Sequence, residues 1–242
     1  MGCARRATAA LAIAITSVTA CGCQTTAQRS AELQRAAKHE LLVTQGVSVK
    51  RENPSVRVVR STVLHTSSAT AVVLELRNTS SHALENAPVE LSVKDARGAV
   101  LYQNSAPGLE PSLTKVSLLA PGRQAIWVDD QVQAAGTPTT AQALVGTAIT
   151  ASRIPKMSVV GARLTSEAGA EASESGSVAN HSSLTQANLV VYAVARRAGR
   201  AVAAGRAVLP EVAAGASVPF QIYFVGNPQG AQIEVSAPAT TF

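Results

Sequence analysis

The chain is poor in cysteine, in aromatics and in long apolar runs. Its three cysteines, Cys3, Cys21 and Cys23, all stand within the first 23 of 242 residues. No pair remains to staple anything downstream, so later domains must hold together without disulfides. Aromatic residues make up only 3 % of the chain, leaving core building to Ala, Val and Leu. The one pronounced apolar stretch, ATAALAIAITSV, is about a dozen residues, against the ~20 that a spanning helix needs. No later run approaches that length. The signatures GxSxG, HExxH, GxGxxG and the phosphate-binding P-loop are missing. The four histidines, His39, His65, His82 and His181, are scattered, with no matching cysteine downstream. A soft-metal or redox site needs several such ligands at set spacing, which argues against Cys21 and Cys23 as a metal or thiol pair.

What is present begins at the N-terminus. MGCARR is basic, the apolar run follows, and TACGC closes it with small residues. That is the layout of a secretory signal over residues 1–20. Val18-Thr19-Ala20-Cys21 resembles the bacterial lipobox, a branched apolar residue, a small one, Ala and then Cys. The resemblance implies cleavage between Ala20 and Cys21 and a covalent diacylglycerol and acyl anchor on Cys21, with no other cofactor. Two acyl chains hold where one gives only marginal, reversible attachment. Cys3 would leave with the signal, and Cys23 would stay as an unpaired thiol. The expected location is the cell envelope, lipid-anchored on the outer-facing or periplasm-facing side of a membrane.

Arg5 and Arg6 also leave with the signal, so 21 basic residues become 19 against 15 acidic ones, a balance of +4. That excess is too small to argue for nucleic acid. It allows a modest attraction to anionic lipid head groups or wall polymer.

Residues 21–50 read as a tether. The stretch 22–30 looks flexible, and AELQRAAKHELLVTQ at 31–45 is rich in helix formers, with Leu33, Ala37 and Leu41 at helical spacing. From about residue 55 the period becomes two. In TAVVLELR, Val72, Leu74 and Leu76 alternate with Val73, Glu75 and Arg77; Val89, Leu91 and Val93 alternate with Glu90, Ser92 and Lys94. Both patterns predict half-buried strands. DARG at 95–98 suits a type I turn, AVLYQ a short return strand, Pro121-Gly122 another turn, and QAIWVDD a further strand. Strands broken by turn signals at this spacing point to a sandwich.

The second half repeats the first. LRNTS at 76–80 aligns with VANHS at 178–182, VELSVKDARG with LVVYAVARRAG, and APGRQAIWV with AAGASVPFQI. The first copy carries an insert, SAPGLEPSLTKV, and the joint falls near ASRIPK at 151–156. The expected fold is all-β, two tandem antiparallel sandwiches over 51–150 and 151–242, following the signal and a short helical or disordered stalk. Each half resembles the bacterial FxLYD-type immunoglobulin-like domain. The resemblance rests on Leu91-Ser92-Val93-Lys94-Asp95 and Tyr192-Ala193-Val194-Ala195-Arg196, with only the first copy keeping the Asp and neither the full aromatic pattern. That family implies a secretory context and offers no common catalytic residues.

Few residues suggest chemistry. Asn78-Thr79-Ser80 and Asn180-His181-Ser182 fit the glycosylation pattern, but their recurrence at equivalent places is what turn-capping asparagines would give. Asp129-Asp130 lacks the spaced oxygens calcium requires and reads as a solvated strand end. Trp127 faces outward if Ile126 and Val128 point inward, and is a core residue in the other register. Glu167, Glu171 and Glu174 lie in a small-residue run that reads as a loop or a weak strand edge, with no sign of the cleft that paired-carboxylate catalysis requires. Arg196, Arg197, Arg200 and Arg206 cluster around one turn and are the candidates for binding an anion, although basic residues on exposed turns are ordinary. The expected protein is not an enzyme. It is a membrane-anchored envelope module that contacts another envelope protein or, alternatively, anionic polymer or head groups through the basic hairpin.

Overall fold

The computed structural model describes residues 46–165 and 172–242, which belong to one compact unit. The signal, Ala20, Cys21, the 31–45 stretch, Glu167 and Glu171 lie outside the described residues.

The period-two segments are strands. The first half contributes β1 (Val56–His65), β2 (Thr70–Asn78), β3 (Leu84–Lys94), β4 (Val100–Gln103), β5 (Lys115–Leu119), β6 (Gln124–Asp129), β7 (Thr140–Val145) and β8 (Ile149–Thr150). The second contributes β9 (Met157–Thr165), β10 (Ser173–Asn180), β11 (Gln186–Arg197), β12 (Arg200–Val212), β13 (Ser217–Tyr223), β14 (Val225–Gly226) and β15 (Gln232–Ser236). One 3-10 turn, Pro111–Leu113, lies in the insert, and there is no α-helix among the described residues. All pairings are antiparallel.

The pairing pattern recurs. One sheet runs β1-β2-β6 and its counterpart β9-β10-β13. The partner sheets are built on β3, flanked by β4, β5, β7 and β8, and on the pair β11-β12, flanked by β15 and β14 respectively. Asn86 and Asn188 both take a positive φ, at 54° and 49°, at the same place in β3 and β11. The turns match as well: Arg123 N–H donates to Ala120 O and Ala216 N–H to Ala213 O, around Gly122 and Gly215. Equivalent residues lie 102 apart at Asn78 and Asn180 but 93 apart at Arg123 and Ala216. The difference of nine is the net length added by the stretch containing the insert, which splits into β4 and β5 what is one strand, β12, in the second half.

In the first half, Val72, Leu74, Leu76 and Trp127 of one sheet bury themselves with Val89, Leu91 and Val93 of the other. In the second, Val178, Phe220 and Ile222 meet Leu189, Val191 and Ala193. The main core does not stop at the joint. Ala71, Val73, Ile126 and Val128, on the other face of the β1-β2-β6 sheet, cluster with Val190, Tyr192, Val194 and Ala204 of the β11 sheet. The four sheets therefore stack as layers, with the joint between two of them as apolar as the cores.

This corrects two expectations. β2 is not half-buried: both its faces are covered, because a sheet of the second half lies on the face that alternation assigned to solvent. Nor is the serine-rich run around Glu174 an edge. Ser173–Asn180 is the central strand of its sheet, held between β9 and β13 despite the weak strand preference of Ser and Gly.

The outer layers differ from the inner ones at matching positions. Where the joint has Ala71, Val73 and Glu75, the far face of the last sheet has Ser173, Ser175 and Ser177. Where it has Tyr192 and Val194, the far face of the first sheet has Glu90 and Ser92. Polar terminal faces cap the stack, as in repeat proteins.

Candidate functional site

The predicted arginines separate into two groups. Strands β11 and β12 form a two-residue hairpin through Ala198 and Gly199, whose φ values of 48° and 74° are those of a turn that favours glycine. Arg197 and Arg200 flank it as cross-strand partners, and both are exposed. Arg197 donates to Gln229 O at 2.6 Å. Arg196 is half-buried just behind; its Nη1 reaches Glu75 Oε1 at 2.7 Å and its Nε reaches Glu234 Oε2 at 3.3 Å. Burial works against its charge, and Glu75 and Glu234 more than offset that, so its basicity rises.

Arg206 does not join them. It faces the β1-β2-β6 sheet with a side chain only 2 % exposed. Its Nε donates to Asp130 Oδ1 at 2.9 Å, its Nη2 to Glu110 Oε2 at 3.0 Å, and its Nη1 to the Ser112 hydroxyl. Its backbone N–H donates to Asp130 Oδ2 at 3.1 Å. Burial opposes the charge, and Asp130 and Glu110 outweigh it. All three guanidinium nitrogens are thus engaged across the joint, and a side chain only 2 % exposed is out of reach of a ligand. Glu110 and Ser112 come from the insert that the second half lacks, so the insert acts as a clasp on the second half.

Asp129 and Asp130 are not a solvated strand end. Asp129 is fully buried; it accepts the Tyr102 hydroxyl at 2.9 Å and the Gln131 N–H at 2.9 Å. Burial pushes its carboxyl above the ordinary range, against the pull of those two donors and of Arg206. Burial and the neighbouring Asp129 push the Tyr102 hydroxyl well up in turn. Alternation marked the strand correctly but carried no sign that the second half closes over its end.

The two asparagines share one bonding pattern. Asn78 Nδ2 donates to His82 O and Leu119 O, while its Oδ1 accepts the Ser80 N–H and hydroxyl. Asn180 Nδ2 donates to Leu184 O and Val212 O, and its Oδ1 accepts the Ser182 N–H and hydroxyl. Both are buried, and an amide so committed offers no attachment point for sugar. Trp127 is a core residue; its indole N–H donates to Ser112 O at 2.9 Å. Ile126 and Val128 are buried too, on the opposite face, so both registers of that choice end inside the protein.

Among the described residues no group of three or more His, Cys, Asp or Glu side chains converges as metal ligands would. A recess of about 650 Å³ crosses the outer face of β3, lined by Glu90, Ser92, Lys94, Gln103 and Gln142. Its two charges are already engaged, Glu90 with the Val49 N–H and Lys94 with Gln142. The residues missed from sequence are the acidic partners Glu75, Glu110 and Glu234. The only signal for Glu110 was its position in the unmatched insert.

No protein-family model matches this chain, and no curated protein resembles it closely enough to count as a match.

Proposed function

We propose that this chain is a non-catalytic lipoprotein of the bacterial cell envelope, held by acyl chains on Cys21. Its body would be two tandem immunoglobulin-like sandwiches that present strands and loops to another envelope protein. The observation that carries this reading is Val18-Thr19-Ala20-Cys21 directly after a short apolar run with a basic start. The all-β body, which needs no disulfide, supports an interaction role through its strands and loops. Intact mass and membrane fractionation test it, comparing the native protein with Cys21→Ala. The expected native form starts at Cys21, carries acyl mass and sediments with membranes, while the variant does neither. A soluble, unacylated native form would remove the anchor and the reading with it.

A second reading is favoured by one observation. Arg197 and Arg200 stand exposed at a hairpin tip with no carboxylate within ion-pair distance among the described residues. The protein would then bind anionic envelope polymer or head groups through this hairpin.

A further inference from the structure

The exposed arginines of the hairpin are not isolated. On the neighbouring β1-β2-β6 sheet, Arg57 and Arg77 are direct cross-strand partners, and both are exposed. Like charges placed opposite each other cost stability. No carboxylate lies within ion-pair distance of either among the described residues.

Arg60 belongs to the same face through a defect in the strand. Residues 57 and 60 would point to opposite faces of a regular strand. The register shifts between Val58 and Arg60, so that Arg57 pairs with Arg77 and Arg60 pairs with Glu75, two positions apart on one face. Bulges re-aim side chains in this way, often at functional sites. Arg60 then meets the hairpin: its Nη1 donates to Gly199 O at 2.8 Å. Glu75, next to Arg77 along that face, receives Arg196 at 2.7 Å.

A continuous row results: Arg57, Arg77, Arg60, Arg196, Arg200 and Arg197, tempered among the described residues only by Glu75 and Glu234. It runs along the step where the face of the β1-β2-β6 sheet passes beyond the tip of the β11–β12 hairpin. Every cation in it is arginine, whose planar fork binds oxyanions in a bidentate way. An inner step receives a chain more readily than a flat membrane. A phosphate group presents oxygens in several directions and can be shared between the opposed forks of Arg57 and Arg77.

We propose that this row, assembled from both halves, binds a linear phosphate-bearing polymer. The proposal rests on the second reading and alters it: Arg206 is excluded, and Arg57, Arg60 and Arg77 are added.

The test measures binding of linear polyphosphate to full-length Cys21→Ala protein at moderate ionic strength. Arg57→Gln/Arg77→Gln and Arg197→Gln/Arg200→Gln are each expected to weaken binding about tenfold or more. An exposed control pair on other elements, Arg153→Gln/Arg163→Gln, is expected to change it less than about twofold, as diffuse screened charge should. Loss with the hairpin pair alone would leave the second reading standing and overturn this one. Equal loss in all three variants, or no binding by the unsubstituted chain, would overturn both. Capture by phosphatidylglycerol vesicles without binding of polyphosphate would overturn the polymer assignment in favour of a lipid surface.

Discussion

Glu174 occupies the position that Val72 occupies in the first half, 102 residues earlier, on the core side of a central strand. Its residue is 2 % exposed and its Oε2 has no hydrogen-bond partner. Burial raises its pKa. A carboxyl with a raised folded-state pKa holds its proton more tightly in the folded protein than in the unfolded one. Its ionisation therefore costs stability as pH rises through that value and costs nothing well below the unfolded one. Glu174→Val, which installs the residue found in the first half, is expected to stabilise the protein by about 1–3 kcal/mol at neutral pH. The gain should shrink on acidification, and denaturant melts at several pH values measure it. The asparagines behave oppositely. Asn180→Ala removes the amide that donates to the Leu184 and Val212 carbonyls and accepts the Ser182 N–H and hydroxyl, and chemical denaturation should show a loss of about 2–4 kcal/mol.

At the scale of elements, the close crossing of β12 by the β13–β14 connection sets a steric limit. A Cβ on Gly205 would stand 2.0 Å from Tyr223 O and 2.8 Å from Ile222 Cγ2. Backbone must move to admit it, so Gly205→Ala is expected to cost about 1–3 kcal/mol, read as a lower thermal midpoint. The crossing itself leaves no trace in the sequence, because it depends on which strands are neighbours. What was legible was local. The alternation of Val72, Leu74 and Leu76 marked β2, the paired Asn78 and Asn180 marked the repeat, and SAPGLEPSLTKV marked the insert. What stayed hidden was set by the second half lying on the first. Val73 and Ala71 looked like one face of an ordinary surface strand, Asp129 looked solvated, and Arg206 looked like one more turn arginine. Val73, Ala71 and Arg206 are buried by residues more than sixty positions away, and Asp129 is closed in by Tyr102 from another strand. The row through Arg57, Arg77 and Arg60 was equally unreadable, since a strand bulge and a contact to Gly199 bring it together.

For the molecule as a whole, an apolar joint between stacked sheets and a clasped arginine make the two halves one body. The joint at 151–156 is no free hinge, since Ala151 and Met157 on either side of it pack against one buried cluster. Arg206→Leu removes the partner of Asp130 and Glu110 and should destabilise the protein by about 2–4 kcal/mol. That is less than a fully buried orphan charge would cost, because Glu110 remains 38 % exposed. Because the contact belongs to both halves, the loss should be shared by both. Scanning calorimetry of full-length Cys21→Ala protein with and without Arg206→Leu tests this most directly. A single transition with equal calorimetric and van't Hoff enthalpies, moving as one to lower temperature in the variant, is the result expected of one cooperative body. Two separable transitions, with only one displaced by the substitution, would contradict it and return the halves to independent domains on a string.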